Sequence, residues 1–96
     1  MTRWLLADAA AQDLEEMVDF LMVNRPEHAM ATTDLILQGL AVLELHPLMG
    51  RPVGQGLREL FISRGRTGYL ALYDFDTLLD VVIVLALRHQ REQDDH

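Results

Sequence analysis

The stretch LRELFISRGRTGYLALYDFDTLLDVVIVLALR, residues 57–88, decides the fold of this 96-residue chain. It contains three runs with the composition of β-strands, which lie at 57–63, 69–74 and 80–88. A glycine-bearing turn at 64–68 joins the first two runs. The continuous apolar run VVIVLAL at 81–87 is typical of a central strand that is buried on both faces. These residues predict a three-stranded antiparallel meander.

The residues before the meander predict one strand and two helices. RWLLA at 3–7 indicates a first strand, and Asp8 is placed to cap a helix that ends at Asn24. Pro26 suits the first turn of a second helix, which is expected to end at about Leu45.

Residues 46–56 are rich in glycine and proline and predict a loop between the second helix and the meander. The resulting fold class is α+β: an N-terminal strand, a two-helix hairpin and a three-stranded antiparallel meander. We expect residues 1–96 to form a single domain.

The second helix carries apolar side chains around almost its whole circumference in its C-terminal half. A helix of that kind is normally buried on all sides, and so short a chain covers only one side of it. We therefore expect a partner protein to bind the other side through Leu35, Leu37, Leu40 and Val42. The alternative is that Leu35 and Val42 are ordinary exposed apolar residues.

The central strand raises the same question for the sheet, since two helices cover one face only. Uninterrupted alternation places Val81, Ile83, Leu85 and Leu87 on one face. It places Val82, Val84 and Ala86 on the other face. Three alternatives could bury the second apolar face of the sheet: a partner protein, a second copy of the chain, or the loop at 46–56.

Composition excludes several classes of protein. With 50% hydrophobic residues the chain is not disordered, and without cysteine it has no disulfide, thiolate metal site or cysteine nucleophile. It has no apolar run of ~18 residues and no signal-peptide profile, so we expect a cytoplasmic protein without a membrane partner. The formal net charge of −7 argues against broad, non-specific nucleic-acid affinity but leaves a local basic site open. We expect no direct sequence-specific nucleic-acid binding.

Arginines in the second half of the chain are the most suggestive polar group, namely Arg51, Arg58, Arg64, Arg66, Arg88 and Arg91. Arg58 and Arg88 would converge if their strands are near neighbours, and paired guanidinium groups suit phosphates or carboxylates. The alternative is surface pairing with acids, which contributes only ~0–1 kcal/mol per pair. The acids available for it are Glu59, Asp74, Asp76 and Asp80.

His89 adjoins Arg88 and has the chemistry of an acid–base catalyst near neutral pH, although a lone histidine at a strand end is more often a surface residue. The four histidines lack metal-ligand spacing, so no metal is expected. No P-loop, dinucleotide fingerprint or nucleophile elbow occurs, and no cofactor is expected.

Several short motifs, taken together and in order, resemble the RelE/ParE superfamily of type II toxins, also called plasmid stabilisation proteins. The first runs from Trp4-Leu5 to Asp13-Leu14, and the others are HPLMGRPV (46–53), GLREL (56–60), GRTGYLALYDFD (65–76) and VVIVLALRHQRE (81–92). The resemblance covers nearly the whole chain. It implies a helical hairpin packed on an antiparallel sheet, and a toxin held inactive by a cognate ParD-like antitoxin.

The resemblance leaves the target open. GRPV, GLREL and LRHQRE resemble ParE-like members, which inhibit DNA gyrase and are not enzymes. The target-binding candidates are then Arg58, Arg88, His89 and Arg91. The alternative is a RelE-like, ribosome-dependent mRNA endoribonuclease with Arg58, Arg88 and His89 as catalytic candidates. The absence of lysine and of any tyrosine after Tyr73 departs from the nuclease pattern. A third possibility is an inactive member that only binds its antitoxin.

Overall fold

The computed structural model describes residues 1–90. Its elements are β1 (Arg3–Leu6), α1 (Asp8–Asn24), α2 (Pro26–Ala41), a 3₁₀ turn (Val42–Glu44), β2 (Arg51–Gly54), β3 (Leu57–Arg64), β4 (Thr67–Asp76) and β5 (Val81–His89). The strands form one sheet in the order β1-β5-β4-β3-β2. β1 lies parallel to β5, and the other neighbours are antiparallel. The predicted α+β architecture is confirmed.

The helical hairpin packs on one face of the sheet and closes the hydrophobic core. Ile36 and Leu40 of α2 and Ala10 of α1 are fully buried against the sheet. The sheet contributes Leu60, Ile62, Tyr69, Ala71, Tyr73, Val82, Val84 and Leu87. Burial of each large apolar side chain stabilises the fold by about 1.5–3 kcal/mol relative to leaving it exposed.

The helix ends differ in detail from the predictions. Ala7, not Asp8, is the N-cap of α1, and Asp8 is the first helical residue and forms no capping hydrogen bond. Pro26 begins α2 as predicted. The regular part of α2 ends at Ala41 and gives way to the 3₁₀ turn, short of the predicted end at Leu45. Neither helix of the described range has the length and apolar character needed to cross a membrane.

The segment 46–56, predicted as a loop, contains the edge strand β2. Arg51 and Pro52 pair with β3 in antiparallel register. Proline is tolerated there because an edge strand has one side without a hydrogen-bonding neighbour. Left-handed backbone from Gly54 to Gly56 then turns the chain into β3. The loop prediction was wrong here because the turn-forming residues mask a short strand.

A β-bulge in β5 changes the face on which its last residues lie. Between two successive pairs β4 advances by one residue, from Leu72 to Tyr73, while β5 advances by two, so Leu85 is the extra residue. Beyond the bulge Leu87 is buried on the face that the helices cover. Uninterrupted alternation had placed it on the opposite face with Ile83, which was wrong because of the bulge.

No element of residues 1–90 covers the other face of the sheet. Six apolar side chains on this outer face are half-buried or exposed, while Val81 at its end is buried: Leu5, Phe61, Leu70, Leu72, Ile83 and Ala86. The segment 46–56 does not bury it, because Phe61 keeps 51% of its surface exposed and β2 extends the sheet sideways. The alternative that the loop at 46–56 buries this face is therefore excluded for the described residues.

Candidate functional site

Arg58 holds the segment that leads from the 3₁₀ turn to β2. Its Nη1 donates hydrogen bonds to the carbonyl oxygens of Leu48 at 3.0 Å and Gly50 at 2.7 Å. Hydrogen bonds from a charged donor are stronger than those between neutral groups. The Nη1 group of Arg58 is therefore already used in hydrogen bonds to the backbone of the protein.

Tyr73 supports the same segment from below. Its hydroxyl donates to the carbonyl oxygen of Pro47 at 2.7 Å and accepts the N–H of Gly50 at 2.9 Å. Burial raises the pKa of Tyr73, and this effect outweighs the lowering by the Gly50 N–H and by the charge of Arg58. The neutral hydroxyl serves as donor and acceptor at once, so it holds residues 47–50 at both ends.

Gly50 is required by the close approach of this segment to the sheet. A Cβ atom on Gly50 would lie 2.7 Å from Cε1 of Tyr73 and 2.9 Å from the carbonyl oxygen of Glu59. The next residue, Arg51, forms a 2.9 Å ion pair with Glu59. This pair confirms the surface-pairing alternative for Arg51, and its exposure limits its contribution to stability.

Arg58 and Arg88 lie on opposite faces of the sheet, so the prediction that they converge was wrong. Arg58 pairs in register with Tyr73, which places it on the helix-covered face. Arg88 pairs with Leu70 and is exposed on the outer face. The bulge at Leu85 is the physical reason, because it reverses the alternation of β5 before Arg88.

His89 lies on the helix-covered face near the end of β5. Its ring contacts Tyr69 edge-on, with the ring centroids 5.1 Å apart. Tyr69 is separated from the partner of Arg58, Tyr73, by four residues of β4, or about 13 Å of strand. The described residues therefore do not bring Arg58, Arg88 and His89 into one site. The fourth candidate, Arg91, lies outside the described residues.

The four residues predicted to bind a partner through the second helix divide into buried and exposed positions. Leu40 is fully buried in the core, so its place in that surface was wrong. Leu35 is partly buried and packs against the core. Leu37 and Val42 are 36% and 38% exposed, and these two remain accessible. Periodicity could not distinguish them because the helix is apolar on all sides.

An open groove of about 580 Å³ borders the outer face. Its lining combines apolar side chains with the Arg51–Glu59 pair: Met49, Arg51, Glu59, Phe61, Leu70 and Gln90. The apolar part suits an aliphatic or aromatic side chain of a protein partner. Within residues 1–90 no group of three or more histidine or acidic side chains is arranged to hold a metal ion.

The sequence predicts a turn at 75–79, between the second and third runs of the meander, but its leucines were missed as a candidate surface. Leu78 and Leu79 are 95% and 69% exposed there. The available signal was two adjacent leucines in a turn, a place usually taken by glycine, proline or small polar residues.

Comparisons with known proteins agree with this geometry. Residues 5–94 match the model of the family described as ParE toxin of type II toxin-antitoxin system, parDE. Toxin RelE3 of Caulobacter vibrioides is 33% identical over 88 residues, which cover 92% of this chain and 94% of that protein.

Two solved structures share the fold. A chain of the chromosomal ParDE toxin–antitoxin system from P. aeruginosa superposes with a TM-score of 0.77 at 22% identity, covering 93% of this chain and 96% of the other. A chain of the RelBE2 toxin–antitoxin complex from Mycobacterium tuberculosis gives a TM-score of 0.60 at 23% identity, covering 92% and 96%.

Proposed function

The chain belongs to the ParE toxin family of type II toxin–antitoxin systems, and from this premise we propose that it inhibits DNA gyrase and is neutralised by a ParD-like antitoxin. The inhibition is by binding and requires no catalytic side chain. The separation of Arg58, Arg88 and His89 on the sheet is the observation that carries this proposal.

A nuclease site places its acid, its base and its phosphate-binding groups within hydrogen-bond reach of one scissile phosphate. Here Arg58 and Arg88 lie on opposite faces, and Arg58 already donates to two backbone carbonyls. The acidic net charge also disfavours approach to RNA. A toxin that acts on a protein meets neither obstacle.

The alternative function is a RelE-like, ribosome-dependent mRNA endoribonuclease. The observation that favours it is the similarity to the curated relative named Toxin RelE3. Primer extension on translated mRNA after induction separates the two functions. Codon-positioned cuts would establish the nuclease, and their absence together with inhibited supercoiling establishes the gyrase inhibitor.

The target-binding surface includes Arg88, which the structure leaves exposed on the outer face, and Arg91, which lies outside the described residues. His89 lies on the opposite, helix-covered face and is not part of this surface. Arg58 contributes by holding residues 48–50 in place. Arg88→Ala tests this surface, with Arg66→Ala as a matched control, because Arg66 is also an exposed arginine and lies in the hairpin turn. The assignment is supported if Arg88→Ala loses gyrase inhibition and Arg66→Ala keeps it.

The antitoxin-binding surface includes Leu37 of α2 and Val42 of the 3₁₀ turn, the two predicted residues that remain accessible. Leu35 lies at its edge, and Leu40 is not part of it. Exposed apolar side chains of this kind are the anchors that a partner segment buries. A partner that covers them gains about 25 cal/mol of favourable free energy for each Å² of apolar surface that it removes from water.

A further inference from the structure

The turn between β4 and β5 presents two large apolar side chains to solvent. Leu78 is the most exposed large hydrophobic residue of the described chain at 95%, and Leu79 follows at 69%. Leucine at such positions gains nothing from folding, because its surface stays in water. The pair therefore requires a reason outside the fold of the monomer.

Side-chain hydrogen bonds support the backbone of the turn although it is exposed. Oδ1 of Asp76 accepts the backbone N–H groups of Leu78 and Leu79, each at 3.0 Å. Asp80 adopts a left-handed conformation with φ of 54°, and its Oδ1 accepts the hydroxyl of Thr2 at 2.6 Å. The backbone is thus supported at both ends of the turn, so less backbone entropy is lost when the two leucines bind a partner.

Carboxylates surround this end of the sheet. They belong to Glu44, Asp74, Asp76 and Asp80, and within residues 1–90 none of them forms an ion pair. Two of them accept hydrogen bonds from uncharged side chains: Asp80 from the hydroxyl of Thr2 and Glu44 from the indole N–H of Trp4. Arg3, in register with Val81, offsets one of the four charges.

We propose that Leu78 and Leu79 form the anchor by which this toxin binds its protein target, at an apolar pocket with a cationic rim. This inference rests on the proposed function and adds a second contact surface to it. An enzyme that handles DNA carries cationic surface for the phosphate backbone. An apolar anchor with an acidic border is complementary to a pocket on such a surface.

The same charges disfavour other occupants. A second copy would bring one acidic border against another, and nucleic acid would bring phosphates against carboxylates. The antitoxin is assigned to Leu37 and Val42 on the second helix. The target is therefore the occupant that the chemistry of this end favours.

The test uses the double variant Leu78→Ser with Leu79→Ser, which keeps both backbone N–H groups for Asp76. The matched control is Phe20→Ser with Val23→Ser, since these α1 residues are 66% and 82% exposed and lie in neither proposed surface. A third variant, Asp74→Asn, removes one of the four carboxylate charges around the turn. Within the described residues the side chain of Asp74 forms no hydrogen bond that this substitution would break. The measurements are half-inhibition of gyrase supercoiling, growth arrest on induction, and affinity for the antitoxin.

We expect the double variant to raise the half-inhibitory concentration at least about tenfold and to relieve growth arrest. Asp74→Asn raises it about twofold to threefold, with a smaller effect at high salt. The control variant and the affinity for the antitoxin stay within about twofold of wild type.

Other results would overturn this inference, the gyrase proposal, or both. Wild-type inhibition by the double variant overturns the inference, as does an equal loss in the control or a loss of antitoxin binding in the double variant. If wild-type protein arrests growth but leaves gyrase untouched, the gyrase proposal fails, and relief of arrest by the double variant still supports the anchor. If wild-type protein does neither, both proposals fail.

Discussion

Asp13 accepts a hydrogen bond from the backbone N–H of Leu87 at its Oδ2, at 3.0 Å, and so joins α1 to β5 directly after the bulge. β1 ends opposite Val84, so no strand pairs with β5 on that side at Leu87. The carboxylate of Asp13 takes the place of the missing strand. It thereby stabilises the register that directs Arg88 to the outer face.

Replacing Asp13 with alanine should destabilise the protein by about 1–3 kcal/mol, because the part-buried backbone N–H of Leu87 loses its hydrogen-bond acceptor. Asp13→Asn keeps an acceptor oxygen and should lose less. Urea denaturation followed by circular dichroism measures both. An unchanged midpoint in Asp13→Ala would show that the contact contributes nothing to stability.

Tyr73→Phe should destabilise the protein by about 1–3 kcal/mol, because the Gly50 N–H and the Pro47 carbonyl both lose their partner. Tyr69→Phe is the matched control. Tyr69 is also buried, and its hydroxyl has no hydrogen bond within the described residues, so its loss should change stability by less than about 0.5 kcal/mol. Equal effects of the two substitutions in thermal unfolding would contradict the role given to Tyr73.

Stability should fall at alkaline pH through Tyr73. Burial raises its pKa above the ordinary value of 10.0, so the folded protein binds the phenolic proton more tightly than the unfolded chain. The resulting stabilisation is fully present below pH 10.0 and is lost as the pH rises through the folded-state pKa. Unfolding free energies measured across this range should decline less steeply in Tyr73→Phe, and parallel curves for the two proteins would refute the assignment.

Leu40 near the end of α2 and Val42 at the start of the 3₁₀ turn should respond oppositely to substitution. Leu40→Ala should destabilise the fold by about 2–5 kcal/mol, because it leaves a cavity in the core. Val42→Glu should leave the unfolding midpoint nearly unchanged and weaken the antitoxin complex at least about tenfold. Calorimetric titration with the antitoxin measures the second effect. An unchanged affinity would move the interface away from Val42.

Much of the fold could be predicted from the sequence because periodicity and turn residues report directly on local structure. The apolar run at 81–87 identified an interior strand, and Pro26 marked the start of the second helix. The run was expected to be a central strand buried on both faces, which was wrong, because β4 lies at the centre of the sheet and only one face of β5 is covered. β2 escaped prediction because Pro52 and the flanking glycines outweigh its short pattern. Pairing with β3 supplies its stability, and a neighbour in space is not visible in a four-residue stretch.

The candidate site was less predictable because it depends on which face each side chain takes. One inserted residue, Leu85, moves Arg88 to the outer face, and alternation alone does not reveal a bulge. The all-round apolar second helix hid the burial of Leu40 in the same way. The exposure of Leu78 follows from the hydrogen bonds of Asp76, which fix the turn only in the folded chain.

The most direct test of the central claim is a supercoiling assay with purified gyrase, relaxed plasmid, ATP and increasing toxin. The account predicts that supercoiling is inhibited at micromolar toxin, and that prior addition of the antitoxin restores it. Full supercoiling at every concentration of a folded toxin that arrests growth would contradict the account.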